Sequence, residues 1–410
     1  MTPLRLTAVF LFLLCAGTRL SAQTPELKCD WTRFQQNAAD LRTARDAARK
    51  IPENEGDSDV PPEAIKQIQQ FKNSLYASLQ DYFLCQPLRM PNAQALQTDL
   101  YTRLSLPVPP PDPENAMSEK DAGPWTGLFL SNITITIQNV SDTRNLVAVL
   151  TQFGIPYGAD AELDIFSLQK DAWKPVVNFT SEPYKRISGG FEAFEYKISP
   201  PGPKNSWFLV ATHVNPWPTS CWQTLFIDAI RPDEIGMSYP LFHEEHWGYI
   251  CDDVPPYLRS VTADTFQVRF SMPSVDESAL SSVSVMTYKV HDDHAVRIQP
   301  VALNPVNFVD EWMRTPWRDA QDWSAPGHLA DLRKAHTIQH LSGDFTAYRS
   351  CSSTSLNEVE FGEEDEKTDK ERSRFFLVRQ NGNIFQMARA SNHHDPSCNG
   401  PNRLDSVKDR

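Results

Sequence analysis

Long apolar stretches are scarce in this sequence, and the longest one ends early. Residues 6–16 form an apolar run that follows Arg5 and precedes the small residues Ser21 and Ala22. A membrane-spanning helix needs ~20 apolar residues, so this run is too short to span a bilayer. A basic start, a short apolar core and small residues before a cleavage point are typical of a secretory signal peptide. The sequence therefore predicts a signal peptide over residues 1–22 and an exported protein, periplasmic or secreted, without a membrane span.

Basic stretches that would attract nucleic acid are also missing. The chain has 39 Lys and Arg residues against 52 Asp and Glu residues, and its formal net charge is −13. A chain of this sign without a basic stripe is repelled by phosphate backbones and by anionic lipid. The expected partner is an extracellular or periplasmic ligand or protein of unknown identity, and not a nucleic acid.

Familiar catalytic signatures are absent as well. The segment nearest to a G-x-S-x-G nucleophile elbow, residues 236–240, lacks the second glycine. No phosphate-binding or dinucleotide-binding glycine pattern occurs, and no cofactor is expected. Acidic neighbours such as Glu244 and Glu245 point to opposite faces of a strand, so their adjacency alone is no glycosidase signal. These absences favour a non-catalytic binding or scaffold protein.

Helical periodicity characterises residues 23–106, which are predicted to form a helical domain. Apolar residues recur every three or four positions over residues 30–50, and Asp30 is suited to cap the first turn. A second helix is expected to begin at Pro62, and a third, short one covers residues 93–104. The polar loop between the first two helices lets them fold back antiparallel. This arrangement predicts a disulfide-clamped helical hairpin, and the alternative function for it is recruitment of a partner.

Beyond a proline-rich linker over residues 107–123, the pattern changes to that of strands. Residues 132–138 alternate apolar and polar side chains, as a half-buried strand does. Similar short segments continue to residue 304, separated by Gly, Pro, Asn and Asp. Residues 124–304 are therefore predicted to form an antiparallel β domain, either a sandwich or small and propeller-like. Residues 305–410 predict an α+β unit, so the expected fold class is mainly β with α.

Six cysteines remain when the predicted signal peptide is set aside. They are Cys29, Cys85, Cys221, Cys251, Cys351 and Cys398. An even number in an exported chain favours disulfides. The antiparallel hairpin places Cys29 beside Cys85, and neighbouring strands are expected to join Cys221 to Cys251. A disulfide at Cys398 is expected to hold the C-terminal tail.

Tryptophans and histidines supply the candidate sites. The candidate ligand-binding residues are Trp207, Trp217, Trp222 and Trp247. Trp217 is predicted at the tip of a hairpin between two prolines, where it either forms a platform for a sugar or peptide or folds back to cap the sheet.

The alternative function is a metal-dependent hydrolase that uses His213, His243 and His246, with Asp252 or Asp253. Residues 243–246 resemble the zinc-protease signature only superficially, because their histidines are three residues apart and not four. Neighbouring Pro240 and Gly248 predict a loop here, so exposed loop histidines are the simpler interpretation. The histidine pair within residues 291–294 is interpreted as part of a polar turn, and the pair within residues 393–395 as part of the C-terminal tail. His336 is interpreted as a packed side chain.

Overall fold

The computed structural model describes most of the chain after the first segment. The described residues are 29–52, 59–88, 92–106, 129–141, 146–182, 184–216, 220–232, 238–250, 257–276, 279–336, 343–353, 355–365, 370–382 and 384–408. The predicted signal peptide and the predicted linker lie outside them. No helix within these ranges is long and apolar enough to cross a membrane.

Three helices come first, within the residues predicted to be helical. They are α1 (Trp31–Ala48), α2 (Pro62–Leu84) and α3 (Ala93–Leu104). The Asp30 side chain accepts hydrogen bonds from the backbone of Thr32 and Arg33 at the start of α1. A disulfide joins Cys29 to Cys85 with a Cα–Cα distance of 4.7 Å, so the start of α1 lies beside the end of α2. The predicted hairpin and its disulfide are confirmed.

The first sheet has four antiparallel strands in chain order. They are β1 (Ser131–Ser141), β2 (Leu146–Ile155), β3 (Gly158–Gln169) and β4 (Ala172–Thr180). One face packs on the helices, where the Phe153 ring lies 5.5 Å from that of Phe71. The other face shares a core with the second sheet through residues such as Leu163 and Leu209. The first sheet is therefore the middle layer between the helices and the second sheet.

The second sheet contains the next eight strands. They are β5 (Glu192–Ile198), β6 (Leu209–Val214), β7 (Trp222–Pro232), β8 (Ser238–Tyr249), β9 (Tyr257–Val261), β10 (Thr265–Pro273), β11 (Ser281–Val290) and β12 (Ala295–Ala302). The order is β5-β6-β7-β8-β10-β11-β12, and β9 lies outside this series and pairs with β10. A separate core including Val210, Ile227 and Val268 fills one face. Residues 291–294 form the turn between β11 and β12, as predicted.

The C-terminal unit combines short helices with a third sheet. It contains α4 (Pro305–Arg314), α5 (Trp317–Ala320), α6 (Leu329–His336), β13 (Gly343–Ser350), β14 (Leu356–Asp365), β15 (Lys370–Asn381), β16 (Ile384–Ser391) and α7 (Asp405–Lys408). The buried Trp312 of α4 packs on Phe376 of this sheet. A disulfide between Cys351 and Cys398 holds the tail. These elements confirm the fold class, mainly β with α.

The loop prediction around residues 243–246 is wrong. These residues lie in the middle of β8, which pairs with β7 from Trp222↔Tyr249 to Pro232↔Ser238. Pro240, taken as a loop signal, sits where the register shifts between Ala229 and Ile230, a position at which a missing N–H is tolerated. The polar residues fit a strand because one of its faces is open to solvent.

Candidate functional site

Alternation along β7 and β8 places seven polar and aromatic side chains on one face of the second sheet. Cross-strand partners share a face, and Asp228 pairs with His243 while Trp222 pairs with Tyr249. We call this surface the β7–β8 face; it comprises Trp222, Phe226, Asp228, His243, Glu245, Trp247 and Tyr249. On β8, the exposed residues of this face are His243, Glu245 and Trp247.

At its centre, the His243 imidazole lies between two carboxylates. His243 Nδ1 is 2.8 Å from Asp228 Oδ1, and His243 Nε2 is 3.6 Å from Glu245 Oε1. An ionised carboxylate only accepts hydrogen bonds, so Nδ1 is the donor to Asp228. The hydrogen bond to Asp228, with a smaller contribution from Glu245, raises the pKa of His243. The ring is therefore biased towards the protonated form, and its Nε2 is directed to the exposed side, where Glu245 lies.

A second imidazole, that of His213, lies beside the Asp228 carboxylate. His213 Nε2 is 3.6 Å from Asp228 Oδ2, and the His213 side chain is buried. Its ring lies between Phe191 and Phe226, with centroid distances of 4.0 and 4.7 Å. Within the described residues, His213 Nδ1 has no hydrogen-bond partner. These ring contacts fix the position of the His213 imidazole, which in turn contacts the Asp228 carboxylate.

Of the four predicted tryptophans, two reach this face. Trp247 is 55% exposed and follows Glu245 by two residues on the same side of β8. The Trp222 ring packs edge-on against Tyr249 at a centroid distance of 5.2 Å. Trp207 is partly buried against the core between the first two sheets. Trp217 lies outside the described residues, so its role stays a prediction.

The predicted metal site is not assembled. His213 and His243 meet at Asp228, but His246 points to the opposite face, because residues three apart on a strand do so. There, His246 Nε2 lies 2.7 Å from Glu244 Oε2, which also accepts a hydrogen bond from Tyr288. Among the described residues, no group of three or more His, Cys, Asp or Glu side chains is arranged to hold a metal ion. Asp252 and Asp253 lie outside the described part of the chain.

Two other histidines, His336 and His394, make local contacts within the C-terminal unit. His336 is buried against Trp312, and burial lowers its pKa. His394 lies 2.5 Å from the buried Glu358 and so anchors the C-terminal tail.

Cys221 immediately precedes β7, and it is disulfide-bonded. Its carbonyl accepts a hydrogen bond from Ile250, the residue before Cys251. Cys251 itself lies outside the described residues, so the pairing of these two cysteines remains a prediction.

Asp228 and Glu245 are the charged members of the site that sequence reasoning missed, and Glu245 was considered only as part of an acidic pair. Asp228 belongs to a strand whose even positions, residues 222–230, are partly exposed while the odd ones are buried. That alternation was the available signal.

No protein-family model and no curated protein matches this chain. Three matching solved structures are glycoside hydrolases. The GH93 α-L-arabinofuranosidase of Fusarium graminearum, solved with arabinobiose, is 9% identical, covers 65% of this chain and 67% of its own, and has a TM-score of 0.26. The catalytic domain of the Coprinopsis cinerea GH62 α-L-arabinofuranosidase is 7% identical, with coverages of 68% and 70% and a TM-score of 0.21. A thermostable family-43 glycoside hydrolase is 7% identical, with coverages of 68% and 82% and a TM-score of 0.23.

All three are enzymes, so the expectation of a non-catalytic binding or scaffold protein is wrong by this comparison. At these TM-scores the likeness identifies no residue of this chain, and the site must be judged on its own geometry.

Proposed function

We propose that this protein is a carbohydrate-active hydrolase that binds a saccharide on the β7–β8 face and cleaves a glycosidic bond there. The observation that carries the proposal is the series Asp228, His243 and Glu245 on an open sheet face beside the exposed Trp247. The series supplies groups for proton transfer, and the tryptophan supplies a surface on which a sugar ring can pack.

Binding is assigned to the aromatic and carboxylate side chains together. The flat indole of Trp247 offers apolar area to the C–H face of a pyranose or furanose ring. The carboxylate of Glu245, two residues away, accepts hydrogen bonds from sugar hydroxyls. Trp222 and Tyr249 continue the aromatic surface in the same direction along the strands.

Proton transfer is assigned to His243 and Glu245. His243 Nε2 donates a proton to the glycosidic oxygen, because the pKa of this imidazole is raised and Nε2 faces the open side. Glu245 accepts a proton from the attacking water. Asp228 is a positioning residue that holds Nδ1–H and so fixes the orientation of the ring. This arrangement differs from the two-carboxyl pair of most glycosidases, since the acid here is an imidazole.

The test is a hydrolysis assay on a panel of polysaccharides and aryl glycosides, read as newly formed reducing ends. His243→Gln keeps a polar side chain but cannot donate the proton, and we expect it to lower kcat by ~10²–10⁴-fold, the usual contribution of general acid–base catalysis. The matched control is Asp293→Asn, which removes an exposed carboxylate from another imidazole, that of His294. The control is expected to retain wild-type activity.

Two results would overturn the proposal. One is the absence of reducing ends from every substrate on the panel. The other is a His243→Gln variant that hydrolyses as fast as the wild type.

A further inference from the structure

A second polar cluster lies on the opposite side of the first sheet, where β3 faces α2. Asp160, Glu162 and Asp164 occupy alternate positions of β3 and are at most 2% exposed. Lys72 of α2 is 5% exposed, and its Nζ lies 2.8 Å from Asp160 Oδ2. The Lys72 side chain thus contacts the Asp160 carboxyl, and it also donates to Ser181 Oγ at 2.6 Å.

The surroundings of Lys72 disfavour separated charges. Its Nζ lies 5.7 Å from the Phe153 ring centroid and 5.9 Å from that of Tyr184. Desolvation of a buried ion pair is expensive, and joining the two groups in an amide removes both charges from the dry site. Burial also raises the pKa of Glu162 and of Asp164. A neutral amine in contact with a neutral carboxylic acid is the reactive pair for forming an amide.

The hydrogen bonds around Asp160 fit an acyl-transfer site. Asp160 Oδ1 accepts from the backbone N–H groups of Ala161 and Phe191, at 2.8 and 2.9 Å. Two fixed N–H donors on one oxygen stabilise the charge that develops on it when the carbonyl carbon is attacked. Asp160 Oδ2 accepts from the Ser181 hydroxyl at 2.9 Å, which marks Oδ2 as the oxygen that leaves.

A path for the amine proton is also present. Lys72 Nζ lies 3.2 Å from Thr180 Oγ1, and this hydroxyl donates to Glu162 Oε1 at 2.8 Å. Glu162 Oε2 has no hydrogen-bond partner among the described residues. A cavity of about 10 Å³, lined in part by Lys72, Ser181 and Tyr184, lies beside the reacting groups. Its size is that of about one water molecule.

We propose that Lys72 and Asp160 are joined by an intramolecular isopeptide bond, with Glu162 relaying the proton. The Lys72 nitrogen attacks Asp160 Cγ and forms the new C–N bond. Glu162 takes up the proton lost by the nitrogen through the Thr180 hydroxyl. It returns the proton through the same contacts and the Ser181 hydroxyl, which lies 2.6 Å from Nζ and 2.9 Å from Oδ2, so that Oδ2 is protonated. The Cγ–Oδ2 bond then breaks and Oδ2 departs as water. An amine and a carboxylic acid become an amide and one water, so no oxidant or cofactor is required.

The bond would tie the helical hairpin to the first sheet. Lys72 belongs to α2 and Asp160 to β3, and the disulfide between Cys29 and Cys85 already closes the hairpin itself. Conversion of a buried ion pair into a neutral amide also removes two charges from a dry site. The proposal is independent of the hydrolase assignment, since it concerns other residues.

Mass spectrometry of the reduced, denatured wild-type protein is the decisive measurement. With the N-terminus of the same sample determined by sequencing, the intact mass is expected to be one water below the sequence mass. Fragmentation of the digest is expected to show the Lys72 peptide linked to the Asp160 peptide. Lys72→Arg and Glu162→Gln are expected to show the full sequence mass. The matched control is Lys289→Arg, from an exposed pair with Asp264, and it is expected to keep the loss of water.

A wild-type protein with separate Lys72 and Asp160 peptides would overturn the proposal. A loss of water that maps to any other pair of residues would do so as well. Because the mass and the linked peptides are measured on the wild-type protein, the test remains valid even if a variant fails to fold.

Discussion

The cluster beneath α2 and the β7–β8 face contain the same kinds of charged group, but water reaches only one of them. Asp160, Glu162 and Asp164 are closed off by the helices. On the β7–β8 face, Glu245 is exposed and His243 is about half exposed. Burial is the largest cause of the raised pKa values of Glu162 and Asp164, whereas a hydrogen bond is the largest cause at His243.

This difference decides the chemistry that each region can perform. In the dry cluster, loss of hydration favours neutral forms, and neutral neighbours can condense. On the open face the charged forms persist, and a protonated imidazole can exchange its proton with a substrate or with water. The same residue types are therefore proposed to form a structural link in one region and to catalyse hydrolysis in the other.

The largest effect is expected from removing the Lys72 amine. Lys72→Met removes the proposed link and leaves the Asp160 carboxyl buried without a partner, and an unpaired buried charge lowers the free energy of unfolding by ~3–5 kcal/mol. Lys289→Met breaks the exposed pair with Asp264, and pairs of that kind contribute ~0–1 kcal/mol. Chemical denaturation of both variants measures the contrast. Equal losses would contradict the distinction between the two regions.

An intermediate effect is expected in the pH dependence of stability. Because burial raises the pKa of Asp164, the folded protein keeps a proton that the unfolded chain releases above its ordinary pKa of 3.8. The folded state then binds more protons, so the free energy of unfolding falls as pH rises from that value through the folded-state pKa. Asp164→Asn stays neutral throughout and is expected to flatten this fall.

Urea denaturation at a series of pH values above 3.8 measures that slope. Asp293→Asn is the control, because the pKa of the exposed Asp293 is lowered by His294 and its contribution is lost only as pH falls. The control should keep the wild-type slope. An Asp164→Asn slope that also equals the wild type would contradict the buried-proton account.

The smallest effect on stability is expected at Trp247. Its side chain is mostly exposed, so Trp247→Ala should change the free energy of unfolding by no more than ~0.5 kcal/mol, as surface substitutions usually do. The same change should weaken polysaccharide binding, measured by affinity electrophoresis, because the stacking surface is lost. A strong destabilisation with unchanged binding would place Trp247 in a packing role.

Local patterns were sufficient where an element depends on its own residues. The cap at Asp30, the start at Pro62 and the resulting pairing of Cys29 with Cys85 follow from helical spacing and turn chemistry, and the structure confirms them. The β8 prediction failed because its charged residues and Pro240 look like a loop when read alone. Only the pairing with β7 shows that half of them face solvent from a strand.

The amino-acid sequence by itself determined the helical hairpin, the strand-rich middle, the C-terminal α+β unit and the even set of cysteines. These follow from periodicities of a few residues and from the chemistry of single side chains. Only the tertiary structure decided that Lys72 meets Asp160 and that Asp228 meets His243. The first contact joins a helix to a distant strand, and the second depends on strand register. The spacing of residues within one segment predicts neither the packing of two layers nor the register of two strands, because both result from burying apolar faces against each other.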